Sequence, residues 1–322
     1  MNKLNWGILG QGVISTQLAH ALMDIHGEIY AVAGRHKEKV EAFAKGYNVK
    51  HCLSIDELME DEHIDIVYIA TPHTYHYEYM MKALQHGKHV LCEKAITVNQ
   101  KQLEEVIAFA KEKNLIVMEA MTIFHMPLFK KAKELVESGA IGNLKMIQVN
   151  FGSCKENDMT NRFFAKELAG GALLDIGTYA VSFVRYFLSE QPNTILTNMI
   201  PFPTGVDEMS GIILRNKQDE MATVTLTMRA KLPKKGIIAG DEGYIEISDY
   251  PRADKMLIKY TSDGREEVIS VGDTKDALHY EVEDMEAAVR GEKANDTLQY
   301  TRDVTEILWK VREQWGMKYP FE

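Results

Sequence analysis

The sequence predicts an α/β fold: an N-terminal doubly wound parallel sheet of the Rossmann type, followed by an α+β domain with a large, mostly antiparallel, open-faced sheet. Three observations carry this. A short apolar strand leads through a glycine loop into an amphipathic helix at the very start; strand and helix patterns then alternate four more times up to about residue 120; beyond that, short strands joined by tight turns take over. At 322 residues the chain is long for one core, so two domains are expected, 1–120 and 121–322.

The first unit begins with Leu4–Leu9, a buried strand, followed by Gly10-Gln11-Gly12-Val13-Ile14-Ser15 and by Ile14, Leu18, Ala21 and Leu22 at helical spacing. Gly10 permits the tight turn, Gly12 lets backbone N–H groups approach a pyrophosphate, and the helix start offers its positive dipole end to that anion. Ser15 occupies the third glycine position, so the fingerprint is incomplete. Further strands are expected at Glu28–Ala33, Ile64–Ala70, His89–Cys92 and Leu115–Met118, with helices over Lys37–Gly46, Ile55–Glu60, Tyr75–His86 and Asn99–Asn114. In such sheets ligands bind beyond the carboxyl ends of the strands, which places Gly10, Arg35, Thr71-Pro72-His73, Glu93-Lys94 and Glu119 on one edge.

The end of the second strand speaks to cofactor choice. An acidic residue there would bind a ribose 2′-hydroxyl, whereas this chain has Gly34-Arg35-His36-Lys37. A guanidinium stacks on adenine and pairs with a 2′-phosphate, which favours NADP while leaving NAD possible. The competing reading is that Arg35 and Lys37 only start a solvated helix.

In the second domain Pro127 opens a helix with Leu128, Ala132, Leu135 and Val136 on one face and Gly139 after its end. Strands are expected at Leu144–Phe151, Ile195–Ile200, Met209–Leu214, Ala222–Met228, Gly236–Ala239, Tyr244–Ile247, Met256–Tyr260 and Glu266–Val271, several joined by turns such as Gly240-Asp241-Glu242-Gly243. Two helices, Ala277–Arg290 and Leu298–Trp315, close the chain. Helices on one face only would leave the other face of the sheet open to self-association. Between the first strand and the rest lies Gly170-Gly171-Ala172-Leu173-Leu174-Asp175-Ile176-Gly177-Thr178-Tyr179. If helical, it sets Asp175 and Tyr179 on one face of an otherwise apolar helix. A helix-end hydrogen bond and a half-buried core contact are the plainer explanation for the two.

The composition bounds the partners. A net charge of −10 argues against nucleic acid or an anionic membrane, and no apolar run reaches the ~18 residues of a membrane span. The N-terminus enters the first strand without a signal-like segment, so a cytoplasmic protein is expected. Cys52, Cys92 and Cys154 are scattered without metal or disulfide spacing. His73 and His76, with Glu93, were the nearest thing to a zinc set, but no metal is expected.

Gly10-Gln11-Gly12, Ala70-Thr71-Pro72-His73-Thr74-Tyr75-His76, Gly87–Lys94 and Gly170–Tyr179, in this order and spacing, resemble the glucose-fructose oxidoreductase / inositol dehydrogenase / rhizopine catabolism family, nearly end to end. Tyr179, Arg35 and Arg162-Phe163 look most similar to the branch of dimeric dihydrodiol dehydrogenases and NADP-dependent xylose dehydrogenases. The resemblance implies an NADP-dependent oxidoreductase acting on a hydroxyl or carbonyl of a sugar, polyol or trans-dihydrodiol, and a homodimer or higher homo-oligomer. It implies cofactor contacts from Gly10, Gln11, Gly12, Val13, Ile14, Arg35, Thr71, Pro72, His73, His76, Glu93 and Lys94, and substrate contacts from Lys94, Arg162, Asp175 and Tyr179. Tyr179 would be the acid/base, Lys94 its cationic partner, and Asp175 the group that orients the lysine. The chemistry agrees: removing a hydride from an alcohol carbon needs a base for the hydroxyl proton, and an ammonium lowers the pKa of a phenol from its ordinary ~10. One departure is that the family usually reads Glu-Lys-Pro, often with a cis peptide, where this chain has Ala95. The family also contains nucleotide-binding regulators without turnover, and NAD-dependent glycosidases that retain their cofactor. These are the rival readings.

Overall fold

The computed structural model describes residues 3–322; Met1 and Asn2, where the first expected domain starts, lie outside them. Two compact units emerge, one from residues up to Thr97, Lys101–Met121 and Leu278–Leu298, the other from Val98–Gln100, Thr122–Ala277 and Gln299–Glu322.

The first unit is the doubly wound sheet. Its strands and helices run β1 (Trp6–Leu9), α1 (Val13–His26), β2 (Ala31–Ala33), α2 (Lys37–Tyr47), β3 (His51–Leu53), α3 (Ile55–Glu60), β4 (Ile66–Ile69), α4 (His76–Gln85), β5 (His89–Glu93), α5 (Gln100–Lys113) and β6 (Val117–Ala120). Six strands lie parallel in the order β3-β2-β1-β4-β5-β6. β1, β2, β4 and β5 are wholly buried or nearly so, which is why they read as continuous apolar runs. One face of the sheet packs Val67, Ile69, Val90 and Val117 against Met80, Leu84, Leu103 and Val106 of the flanking helices. Local signals set the helix ends. Ser54 and Glu57 form a reciprocal capping box at α3, and Gly27 and Asn48 take left-handed backbone angles after α1 and α2. β3 escaped the sequence reading because its three residues, His51-Cys52-Leu53, are largely exposed and carry no apolar run.

The chain winds outward from β1 to β2 and β3, then returns to place β4 on the other side of β1. The switch point therefore lies between the ends of β1 and β4. Gly10, just past β1, has φ of 113°, and a Cβ there would stand 2.4 Å from the carbonyl oxygen of Ala70, just past β4. Only glycine fits.

The second unit opens with α6 (Thr122–His125), a single turn, and α7 (Pro127–Glu137), with Pro127 at its first turn as expected. It continues through β7 (Leu144–Gly152), a π-helical turn at Leu173–Gly177, α8 (Thr178–Phe187), β8 (Thr194–Pro201), β9 (Asp207–Arg215), β10 (Met221–Thr227), β11 (Leu232–Gly240), β12 (Gly243–Ser248), β13 (Lys255–Tyr260) and β14 (Glu266–Ser270). The eight strands form one sheet, ordered β14-β13-β12-β11-β7-β10-β9-β8, antiparallel throughout except between β7 and β10. Alternate residues face inward: Ile147, Val149 and Phe151 on β7 and Val224 and Leu226 on β10 are buried, and α8 covers this side. On the outward side a register row runs Leu196, Ile213, Thr223, Gln148, Ile237, Glu246, Leu257, Val268, and Leu196 and Val268 are about 60% exposed.

The last two helices, α9 (Ala277–Val289) and α10 (Leu298–Trp315), divide between the units. The expected second domain ran unbroken to residue 322, yet Leu278–Leu298 packs with the first unit. Glu286 of α9 accepts a hydrogen bond from the Trp6 indole N–H at 2.9 Å and lies 2.6 Å from His26, and the Asn295 amide donates to the Val117 carbonyl. A buried carboxylate with two partners fastens the helix there. No periodicity in α9 itself reveals such partners. Among the described residues no helix is long and apolar enough to cross a membrane.

Gly10→Ala is expected to destabilise the protein by about 1–3 kcal/mol in denaturant unfolding, because both the backbone angle and the Ala70 carbonyl oppose a Cβ. Gly12→Ala, whose Cβ would meet nothing within 4 Å, should be stable to within a few tenths. Equal stability of the two variants would refute the steric account.

Candidate functional site

In the first unit the expected residues gather beyond the strand ends. Leu9, Ala33, Ile69 and Cys92 stand in one row across the sheet, so the loops after them start level with one another. The Gly10 N–H and the Gln11 side-chain amide both donate to the Ala33 carbonyl, at 3.0 and 2.6 Å, tying the glycine loop to the end of β2. Gly12 is the extended residue that caps α1, and with no protein atom near its missing Cβ it leaves space beside the helix start. Val13 follows at 79% exposure, unusual for a large apolar residue, while Ile14 is half-buried. Ser15, at the third glycine position, is wholly buried against the sheet. The hydroxyl of Thr71, across the switch point, is buried without a hydrogen-bond partner. A donor or acceptor left unmet at a ligand crevice fits a polar ligand supplying it.

Arg35 is exposed, but ordered. Its guanidinium donates to the Tyr75 hydroxyl at 3.0 Å and lies 4.7 Å from that ring's centre, so one planar group holds the other. Tyr75 belongs to the short 3₁₀ turn His73–Tyr75 that follows Thr71 and Pro72. His73 Nε2 lies 3.1 Å from the carbonyl oxygen of Lys94. His76 is fully buried, its ring nitrogens 3.0 Å from the Ala95 carbonyl and 2.8 Å from that of Thr71. Burial lowers its pKa, and a neutral ring has one N–H to share between those two carbonyls. What His76 offers is therefore position, joining the loops after β4 and β5, rather than a surface for a ligand.

Glu93, buried at the end of β5, accepts a 2.5 Å hydrogen bond from the Tyr68 hydroxyl, and the Lys94-Ala95 peptide is cis. The next amide, of Ile96, donates to the carboxylate of Glu119 at the end of β6. Lys94 is half-buried within this scaffold. Cys92 is wholly buried with its thiol pKa pushed well up by burial, which leaves it a neutral packing group.

In the second unit the segment expected as one helix over Gly170–Ala180 is entered differently. It begins with the wide π turn Leu173–Gly177 and becomes α-helical only from Thr178. Asp207, at the start of β9, fastens that beginning, its carboxylate accepting the Leu173 N–H at 2.7 Å. Asp175 is nearly buried, and Arg162 lies 3.6 Å from it, so the structure brings these two expected residues together as an ion pair. Tyr179 is half-buried, its ring 6.2 Å from that of Phe151 at the end of β7. Tyr179 and Phe151 line a cavity of about 840 Å³, which Lys234, Asp249, Arg252 and Thr274 also border, together with Leu257 and Val268 of the outward row.

Sequence reasoning missed Asp207, Tyr250, Lys234 and Arg252. Tyr250 is fully buried between Phe151 and Phe183, its hydroxyl without a partner and its pKa raised, chiefly by burial and also by Tyr179. Nothing local distinguishes Lys234 within its basic run.

Residues 4–121 match the Gfo/Idh/MocA oxidoreductase family with an NAD-binding Rossmann fold, and residues 129–246 match the C-terminal domain of the same family. The chain belongs to this family. It is 32% identical to trans-1,2-dihydrobenzene-1,2-diol dehydrogenase of Xenopus tropicalis over 98% of this chain and 99% of that one. It is 29% identical to the NADP-linked scyllo-inositol 2-dehydrogenase IolU of Bacillus subtilis over 98% of each. The NADP-linked D-xylose 1-dehydrogenase of Hypocrea jecorina is 32% identical over 76% of this chain and 72% of its own. In fold it is similar to levoglucosan dehydrogenase, solved with NADH and levoglucosan, at a TM-score of 0.88 and 22% identity over 98% of each chain. The 3-ketoreductase KijD10 of Actinomadura kijaniata is another such structure, with a TM-score of 0.85 at 21% identity, covering 97% of this chain and 98% of that one.

Asp207 makes the helix entry sensitive to pH. Burial pushes its pKa up to about 7, against the Leu173 N–H and the charge of Arg312, which pull it down. A carboxyl raised above its ordinary 3.8 contributes stability that is complete below that value and lost as pH rises through about 7. The wild type is therefore expected to lose stability relative to Asp207→Asn between about pH 4 and 7, read from denaturant midpoints at each pH. Parallel pH profiles for the two proteins would contradict the assignment.

Proposed function

We propose that the protein is an NADP-dependent dehydrogenase or reductase acting on a hydroxyl or carbonyl of a sugar, polyol or trans-dihydrodiol. The observation that carries this is the make-up of the switch point: a glycine loop whose Gly12 is open to a ligand, facing a buried Thr71 hydroxyl that lacks a partner. The named relatives are dehydrogenases, two of them NADP-linked. When bound, the dinucleotide supplies the hydride acceptor or donor.

The chain's own residues do the rest. Backbone N–H groups at the start of α1 hold the pyrophosphate, and Gln11, Pro72, His73 and Glu93 shape the loops that receive the dinucleotide. Arg35, stacked on Tyr75 and otherwise exposed, pairs with a 2′-phosphate and rests against adenine. Tyr179 takes the substrate's hydroxyl proton at its phenolic oxygen during oxidation and returns it during reduction. Lys94 favours the charged state of that phenol and stabilises charge on the substrate oxygen. Asp175, paired with Arg162, fixes that guanidinium beside the segment that carries Tyr179. A sensor that only binds nucleotide would give Tyr179, set on a cavity of this size, nothing to do.

The outward face of the eight-stranded sheet supports a homodimer, because Leu196 and Ile213 are exposed there as cross-strand neighbours on β8 and β9. Light scattering at micromolar concentration should give twice the chain mass; a monomer would remove this part of the proposal.

Lys94→Ala and Tyr179→Phe are each expected to lower kcat by about 10²–10⁴-fold while NADPH binding, read by the fluorescence of its reduced nicotinamide, persists. Arg35→Ala should raise KM for NADP and leave that for NAD near its starting value. Undiminished turnover in Tyr179→Phe would remove the tyrosine from the mechanism.

A further inference from the structure

The chain carries a net charge of −10, yet the segment from Arg229 to Lys235 holds four cations in seven residues. Their environments differ. Lys235 is neutralised by Glu246 at 2.7 Å, the guanidinium of Arg229 donates to the Lys155 carbonyl, and Lys231 is exposed to solvent. Lys234 is half-buried, with its ammonium 5.1 Å from the centre of the Phe151 ring and, among the described residues, no carboxylate within ion-pairing distance. Arg252, across the same cavity, is also half-buried and also has no ion pair among the described residues.

A cation that lines a cavity and has no carboxylate of its own keeps its charge available to an anion bound there. Three carboxylates do line the cavity. Glu246 is engaged by Lys235, Asp254 accepts the Thr274 N–H at 3.2 Å, and Asp249 is exposed. None reaches Lys234 or Arg252. The position of Lys234 relates this vacancy of charge to the chemistry. Phe151 touches both the Lys234 ammonium and the Tyr179 ring, so the two functional groups are separated by no more than the breadth of one aromatic side chain and its contacts. A sugar or polyol with a substituent at its far end spans that gap.

We propose that the substrate is anionic, a sugar or polyol bearing a carboxylate or a phosphate, and that Lys234 with Arg252 holds that group while the reacting hydroxyl lies at Tyr179. This rests on the reading of Tyr179 as the proton-transfer residue. Lys234 is then the residue that sets specificity. Its flat support on Phe151 keeps the ammonium directed into the cavity, and an oxyanion there gains charge-assisted hydrogen bonds that a neutral hydroxyl does not.

The experiment compares kcat/KM with NADP⁺ for matched substrates: glucose, gluconate and glucose 6-phosphate, and galactose with galacturonate. The anionic member of a set is expected to exceed the neutral one by about ten- to a hundred-fold, mainly through KM, with gluconate and glucose 6-phosphate telling carboxylate from phosphate. In Lys234→Met that ratio should fall toward one, in Lys234→Arg it should largely return, and in Lys231→Met it should stay as in the wild type. Equal use of neutral and anionic members, or a Lys234→Met defect that is the same for both, overturns the proposal. Turnover that survives Tyr179→Phe, with the anion preference intact, refutes the tyrosine reading and leaves the anion site standing. If no member turns over, calorimetry of gluconate and glucose 6-phosphate on the NADP-loaded protein decides: binding lost in Lys234→Met supports the site, and no binding to the wild type removes it.

Discussion

The parallel register of the first sheet is the constraint from which its chemistry follows. A strand that must be followed by a parallel neighbour needs a crossover, and crossovers of one hand return every carboxyl end to the same edge. With Leu9, Ala33, Ile69 and Cys92 in one row, the glycine loop, Arg35, Thr71 and Lys94 arrive together although up to 84 positions apart in the chain. Gly10 passes so close to Ala70 across the switch point that no Cβ fits there. His76 and Glu119 then act as braces, binding the backbone just after Lys94 to the loop beyond β4 and to β6.

The second unit solves a different problem, the entry of a buried helix that carries polar groups. The Gly170–Leu173 stretch is held from two sides. Asp207 accepts the Leu173 N–H, and the Tyr319 hydroxyl donates to the Gly170 carbonyl at 2.8 Å. Tyr319 is itself packed under Arg312, a guanidinium only 2% exposed that pairs with Glu322 and reaches the Val98 carbonyl. Removing one partner of so buried a pair is costly, so the last residues of the chain are tied into the placement of Asp175 and Tyr179. The π turn allows the helix to begin where Asp207 can cap it and still present Tyr179 toward Phe151.

Cations in the two units serve in distinct ways. Arg35 is presented on an aromatic support at the surface, Arg162 is spent on Asp175, and Arg312 is structural. Lys234 and Arg252 alone among these stand half-buried without a protein counter-ion. Pairing and burial together, rather than residue type, separate the cations that build the fold from those available to a ligand.

The sequence by itself determined the order and kind of almost every element, because apolar periodicity, caps and turn residues act locally. Ile55–Glu60 and Leu298–Trp315 were readable to the residue, and the Gly10 loop stood out by spacing, whereas Lys94 and Tyr179 entered as catalytic candidates through the family resemblance. Short, exposed β3 was not readable, since three residues with no buried face leave no pattern. Tertiary structure alone decided that α9 joins the first unit through Glu286, that the Tyr179 helix starts with a π turn under Asp207, that His76 is a buried brace, and that Lys234 differs from Lys235. Each of these depends on a partner tens to hundreds of residues away, and burial and pairing are properties of contacts that local sequence does not encode.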